Sequence, residues 1–150
     1  MTNAHDHLLG RWLGEGSGEY PTIEPFAYRE ILEVVQVPGR PMATWRSTTT
    51  DAVTGEARHT EVGFLRSTSD ACELVLAHGF GVTEISVARP ATPGSYDFGS
   101  TSISCSPSAK RVDQVRRTVR VVGDVLEYEI SMAAVGLEMT HHLSARLTRS

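Results

Sequence analysis

Cysteine is scarce in this chain. There are two in 150 residues, Cys72 and Cys105. They lie in separate segments with no C-x-x-C spacing, which excludes a four-ligand structural zinc site and leaves at most a single disulfide open. Long apolar runs are also missing: no stretch approaches the 18 residues that a membrane-crossing helix needs. Met1–His7 lacks the charged-then-apolar pattern of a secretory leader. Reduced thiols and a cytoplasmic location are therefore expected. Basic clusters are lacking too. Net charge is −4, and Arg116, Arg117 and Arg120 read as scattered charges on the solvated face of a strand, so no nucleic-acid partner is expected. No Ser sits in a glycine elbow, and no carboxylate pair stands out, which leaves a hydrolase unsupported.

Strand signals, by contrast, run along the whole chain. Val125–Met132 alternates, with Leu126, Tyr128, Ile130 and Met132 on one face and Glu127, Glu129 and Ser131 on the other. Gly123-Asp124 joins it to Val115–Val122, where Val115, Val119 and Val121 share a face. The same grammar gives strands over Tyr28–Val37, Met42–Thr50, His59–Arg66, Cys72–Ala77, Val82–Ala88 and Tyr96–Cys105. Turn residues arrive every ten or so positions. The expected fold is all-β, an antiparallel up-and-down barrel of about ten strands, lipocalin-like or fatty-acid-binding-protein-like, occupying residues 1–150 as one domain. A helical turn near His7–Trp12 would plug one end, with Trp12 buried, and residues 1–7 are expected to be flexible. Exposed strand edges could pair two barrels as a homodimer. Thr44–Thr49 is polar on both faces, which suits an interior that holds a ligand and water rather than a packed core.

Two features could carry chemistry. Gly14-Glu15-Gly16-Ser17-Gly18 superficially resembles a phosphate loop. Glu19-Tyr20-Pro21 follows it and cannot start the required helix, so the glycines are read as allowing a bend and close backbone approach. The second feature is the histidine set. His5 and His7 fall in the terminus, and His59 and His78 at strand edges, where structural roles are expected. His141 and His142 are adjacent on a strand, so one faces inward, where neutral imidazole is a good iron ligand. His141 shares its face with Met139, Leu143, Ala145 and Leu147; His142 shares its face with Thr140, Ser144 and Arg146. A dry interior selects His141 and a polar one His142. No other metal constellation is visible.

These residues together resemble the nitrobindins, small β-barrel haem proteins. The Gly10–Gly16 segment fits that family's G-x-W-x-G-x-G motif, with Gly10, Trp12, Gly14 and Gly16 as its fixed points. His59-Thr60-Glu61-Val62-Gly63-Phe64-Leu65-Arg66, Leu76–Glu84, Ala109-Lys110 and Met132–Gly136 match further landmarks in order. Gly79-Phe80 departs from the usual turn residues and could alter the pocket rim. The family's ligand segment aligns with His142-Leu143-Ser144-Ala145, so the resemblance implies His142 as the axial iron ligand, with His141 as runner-up. A β-bulge would reset the parity. Thr22 and Lys110 match positions the family places near the haem.

The resemblance further implies one ferric haem b per chain, isomerisation of peroxynitrite to nitrate, and binding of nitric oxide, with the protein acting as a scavenger or sensor of reactive nitrogen species. No acid–base residue on the far side of the iron can be named. The rival reading is a haem-free lipid or small-metabolite carrier of the fatty-acid-binding type. Such carriers use an Arg-x-Tyr pair near the C-terminus, whereas this end reads Arg146-Leu147-Thr148-Arg149.

Overall fold

The computed structural model describes residues 2–90 and 92–150. Ten antiparallel strands follow one 3-10 turn (Asp6–Leu8): β1 Gly10–Tyr20, β2 Ile23–Gln36, β3 Met42–Asp51, β4 Ala57–Ser67, β5 Cys72–His78, β6 Val82–Ala88, β7 Ser95–Cys105, β8 Val112–Val122, β9 Val125–Ala134 and β10 Thr140–Arg149. Each strand pairs with its neighbours in sequence, and β1 pairs with β10 to close the barrel. No helix is long and apolar enough to cross a membrane.

Closure pairs every strand with two neighbours, which limits the free edges on which a strand-paired homodimer was expected. The β7–β8 ladder holds only from Ser95↔Arg120 to Gly99↔Arg116. Beyond it the Ser100 hydroxyl accepts from the Val115 N–H at 2.9 Å, and the strands part.

Alternation fills one end of the barrel. Leu8, Trp12, Leu32, Leu65, Leu74, Phe98, Leu126 and Leu147 are all buried and form its main core. Within the segment expected to be flexible, residues 1–7, the structure holds Ala4 and His5 in place; Met1 lies outside the described residues. His5 is fully buried. Its Nε2 bonds to Gln36 Oε1 at 2.8 Å and its Nδ1 to Ser67 Oγ at 2.6 Å. The Tyr96 hydroxyl donates to the Ala4 carbonyl at 2.5 Å, and the Trp12 indole N–H to the Leu8 carbonyl at 2.9 Å. A buried imidazole with both nitrogens satisfied fixes the segment. The turn therefore lies slightly upstream of His7–Trp12, and Trp12 itself sits in β1.

The motif glycines are packing devices. Trp12, Gly14, Gly16 and Gly18 share the inward face of β1. A Cβ on Gly14 would collide with the Arg146 carbonyl and with Leu147 Cα, and one on Gly16 with the Tyr28 ring. Empty positions at 14 and 16 let β10 and the Tyr28 ring close over β1.

Candidate functional site

Above the packed end the barrel encloses a cavity of about 580 Å³, within the range of small-molecule pockets. Its apolar walls include Val112, Val115, Ile130 and Met132. Thr22 reaches it from the β1–β2 turn, and Lys110 and Arg111 from the β7–β8 loop.

The two adjacent histidines part at an irregularity. Between His141↔Ser131 and Leu143↔Ile130 the β9–β10 register shifts, leaving His142 without a partner on β9. His142 and Leu143 both line the cavity. The His141 ring instead faces Glu19 Oε1 at 3.3 Å and Ser144 Oγ at 2.8 Å.

The His142 Nδ1 lies 3.0 Å from the Glu19 carbonyl oxygen. A carbonyl only accepts, so Nδ1 carries the proton and Nε2 keeps its lone pair. Tyr20 and Phe26 meet the ring edge-on, with centroids 5.6 and 6.5 Å away. Burial, with smaller repulsion from His141 and His59, holds this imidazole below the usual histidine range. The bond to Glu19 opposes that shift.

The polar floor of the cavity was not foreseen. Arg117, expected on a solvated face, is 4% exposed. It shares the inward face of β8 with Val115, Val119 and Val121. Its Nη1 donates to Glu61 Oε1 at 2.9 Å, and its Nη2 approaches both Glu61 Oε2 and Glu84 Oε1 at 3.3 Å. Arg117 Nε is the one buried side-chain polar atom without a partner among the described residues. Burial, the largest single influence, would raise both carboxyls, yet Arg117 together with the histidines, and Ser86 at Glu84, outweighs it and holds Glu61 and Glu84 below the usual range. Glu30, farther from that charge, is raised by its burial. It accepts from the Tyr128 and Ser47 hydroxyls, each at 2.5 Å. Tyr128 in turn pairs with the Tyr28 hydroxyl at 2.6 Å.

A second correction concerns metal constellations. His59, Glu61 and His78, read singly as structural or unremarkable, converge at the cavity wall. His59 and His78 stack with centroids 5.2 Å apart, and Phe80 closes over both. Parity on β4 carried the hint, because His59 and Glu61 are two apart on the inward face. Register supplied the rest by setting Glu61 opposite His78.

A small closed barrel with a polar–apolar cavity, into which His142 faces with Nδ1 held by a backbone carbonyl, defines a ligand-binding β-barrel with a donor nitrogen in its pocket. The model of the family described as THAP4-like, heme-binding beta-barrel domain matches residues 2–149, and the chain belongs to that family. It is 44% identical over 146 residues to peroxynitrite isomerase 2 of Mycobacterium marinum, covering 95% of this chain and 90% of that protein. It is 45% identical over 146 residues to peroxynitrite isomerase of Nocardia farcinica, covering 95% and 86%. The crystal structure of Rv2717c from M. tuberculosis superposes with a TM-score of 0.91 at 38% identity, covering 100% of this chain and 99% of that one.

Proposed function

We propose that this chain is one domain that binds a single haem b through His142 and isomerises peroxynitrite to nitrate. The observation that carries the reading is the His142 ring, which lines the cavity, with Nδ1 tied to the Glu19 carbonyl and Nε2 unbonded. A neutral imidazole oriented by a partner on its other nitrogen is the donor that haem iron takes. The family described as heme-binding and the relatives named peroxynitrite isomerase point the same way.

The pocket suits the group. Its apolar walls match a porphyrin face, and the positive charges of Lys110 and Arg111, with the Thr22 hydroxyl, suit the carboxylates at a haem's edge. When bound, haem supplies a Lewis-acidic iron with an open position at which a weak O–O bond can rearrange. His142 holds the iron, and Tyr20 and Phe26 keep its ring from turning. The walls exclude bulk water. Peroxynitrite anion and nitrate have the same atoms and charge, so no residue has to supply a proton or an electron. Nitric oxide is a second ligand that this reading allows, and the protein would act as a scavenger or sensor of reactive nitrogen species.

Cytoplasmic placement belongs to this reading and is supported by the two free thiols, Cys72 and Cys105. The unpaired backbone beyond the β7–β8 ladder offers a homodimer its pairing edge. The carrier alternative needs a free buried cation for a carboxylate. Arg117, the buried arginine of the cavity floor, is already matched by Glu61 and Glu84.

The test is a hemin titration of haem-free protein followed in the Soret region, with His142→Ala and His141→Ala alongside, then a stopped-flow peroxynitrite assay on loaded protein. One-to-one binding lost only in His142→Ala, with accelerated nitrate formation, is expected. Loss only in His141→Ala would overturn the assignment of the ligand, and no saturable shift in the wild type would overturn the haem reading.

A further inference from the structure

We propose that the β4–β5 wall of the cavity holds a second metal site, for a divalent first-row ion such as Zn²⁺, with His59 Nε2, His78 Nδ1 and Glu61 Oε2 as its ligands. Its ligands do not include His142, which lines the same cavity.

Geometry is the first argument. His59 Nε2 and His78 Nδ1 lie 3.1 Å apart, His78 Nδ1 and Glu61 Oε2 3.3 Å, and His59 Nε2 and Glu61 Oε2 3.6 Å. Three donors held about 2.0–2.1 Å from one ion stand roughly 3.0–3.4 Å from one another in octahedral or tetrahedral geometry. The triangle needs adjustments of a few tenths of an ångström at most. Two imidazoles and one carboxylate are also a donor set that borderline divalent ions favour, and the cavity side leaves coordination positions open.

The hydrogen bonds are the second argument. Glu84 accepts from His78 Nε2 at 2.7 Å and from the Ser86 hydroxyl at 2.6 Å. In the neutral His78 ring that bond puts the proton on Nε2 and leaves Nδ1 with its lone pair toward Glu61. Glu61 Oε1 is taken by the Trp45 indole N–H at 3.0 Å and by Arg117 at 2.9 Å, so Oε2 is the atom turned to the histidines. Two acceptors, His78 Nδ1 and Glu61 Oε2, therefore face each other at 3.3 Å. His59 Nε2–H can satisfy only one of them. A cation placed among the three satisfies all. The carboxylate–histidine pair of Glu84 and His78 is the outer support that metal-bound histidines use.

Charge is the third argument. Arg117 opposes a cation, but Glu61 and Glu84 outnumber it at the site. Arg117 contacts Glu61 mainly through Oε1, at 2.9 Å, with Oε2 and Glu84 Oε1 each 3.3 Å away, and it orients both carboxylates.

The experiment is calorimetric titration of haem-free, full-length protein with Zn²⁺, repeated with Co²⁺ to read the visible bands of the bound ion. Saturable one-to-one binding is expected, unchanged in His142→Ala. His59→Ala removes a ligand from a partly exposed ring and so spares the fold; it should weaken Zn²⁺ by more than the roughly 10–100-fold that losing an outer partner costs. Glu84→Gln, a positioning variant, should weaken it by about 10–100-fold while keeping the Co²⁺ bands. Absence of saturable binding would overturn the proposal. So would Zn²⁺ binding that survives His59→Ala or disappears in His142→Ala, which would place the ion elsewhere. Because hemin binding is read separately in the Soret region, failure here leaves the haem reading standing, and the reverse holds too.

Discussion

Glu19 holds both histidines of β10 at once: its backbone carbonyl meets His142 Nδ1 at 3.0 Å, and its carboxylate meets His141 Nδ1 at 3.3 Å. The chain carbonyl fixes the inward ring, and the side chain serves only the outward one. Nitrogen-15 NMR of the haem-free protein should therefore find His142 protonated on Nδ1 alone, both in wild type and in Glu19→Gln. Its ring should titrate below the reference value of about 6.5. With the folded value depressed, the stability tied to this group is complete above the unfolded pKa and is lost as pH falls through the folded one. A ring charged at or above the reference value would contradict the burial described.

Arg117 is a buried charge whose partners come from two other strands. Replacing it with Met leaves Glu61 and Glu84 buried without a counter-ion, and urea denaturation should show a loss of about 3–5 kcal/mol. The pH profile follows from the same contacts. Both carboxyls are depressed in the fold, so their contribution is present above the usual glutamate value of about 4.3 and is lost as pH falls through the folded values. Wild type should lose stability steeply below pH 4 or so, and Arg117→Met less steeply.

Gly16→Ala should destabilise by about 1–3 kcal/mol, because the added methyl meets the Tyr28 ring, which can shift only by disturbing its bond to Tyr128. Gly14→Ala meets backbone of β10 and should be the more damaging of the two. Equal melting temperatures for wild type and both variants would refute the packing role of these glycines.

The two thiols should separate cleanly under alkylation. Cys72 is buried, and desolvation pushes it up to about 11, with the Ser67 hydroxyl opposing in part. Cys105 is exposed. Native protein treated with iodoacetamide at pH 8 should take one label, on Cys105, and a second only on unfolding. Mass spectrometry of the native sample decides this.

Alternation made the barrel legible, because antiparallel meanders write their inward faces into the sequence two residues apart. It also put Arg117, His59 and Glu61 on inward positions. Their residue types argued against burial, and what makes burial tolerable, Glu84 from β6 and His78 from β5, comes from register that no local pattern encodes. His5 was misjudged for the same reason, since its partners Gln36 and Ser67 are distant in sequence. The inward placement of His142 depends on a shift in the β9–β10 pairing, which parity alone cannot show. It was the resemblance, not the alternation, that pointed there.

The β7–β8 ladder stops after Gly99↔Arg116, on the half of the barrel that contains the cavity. Where the wall is paired, widening it would mean breaking ladder hydrogen bonds. Along this one slit the stitching is already missing. The Trp12 end is closed by the packed core, so the missing pairing falls on the half of the wall that borders the cavity.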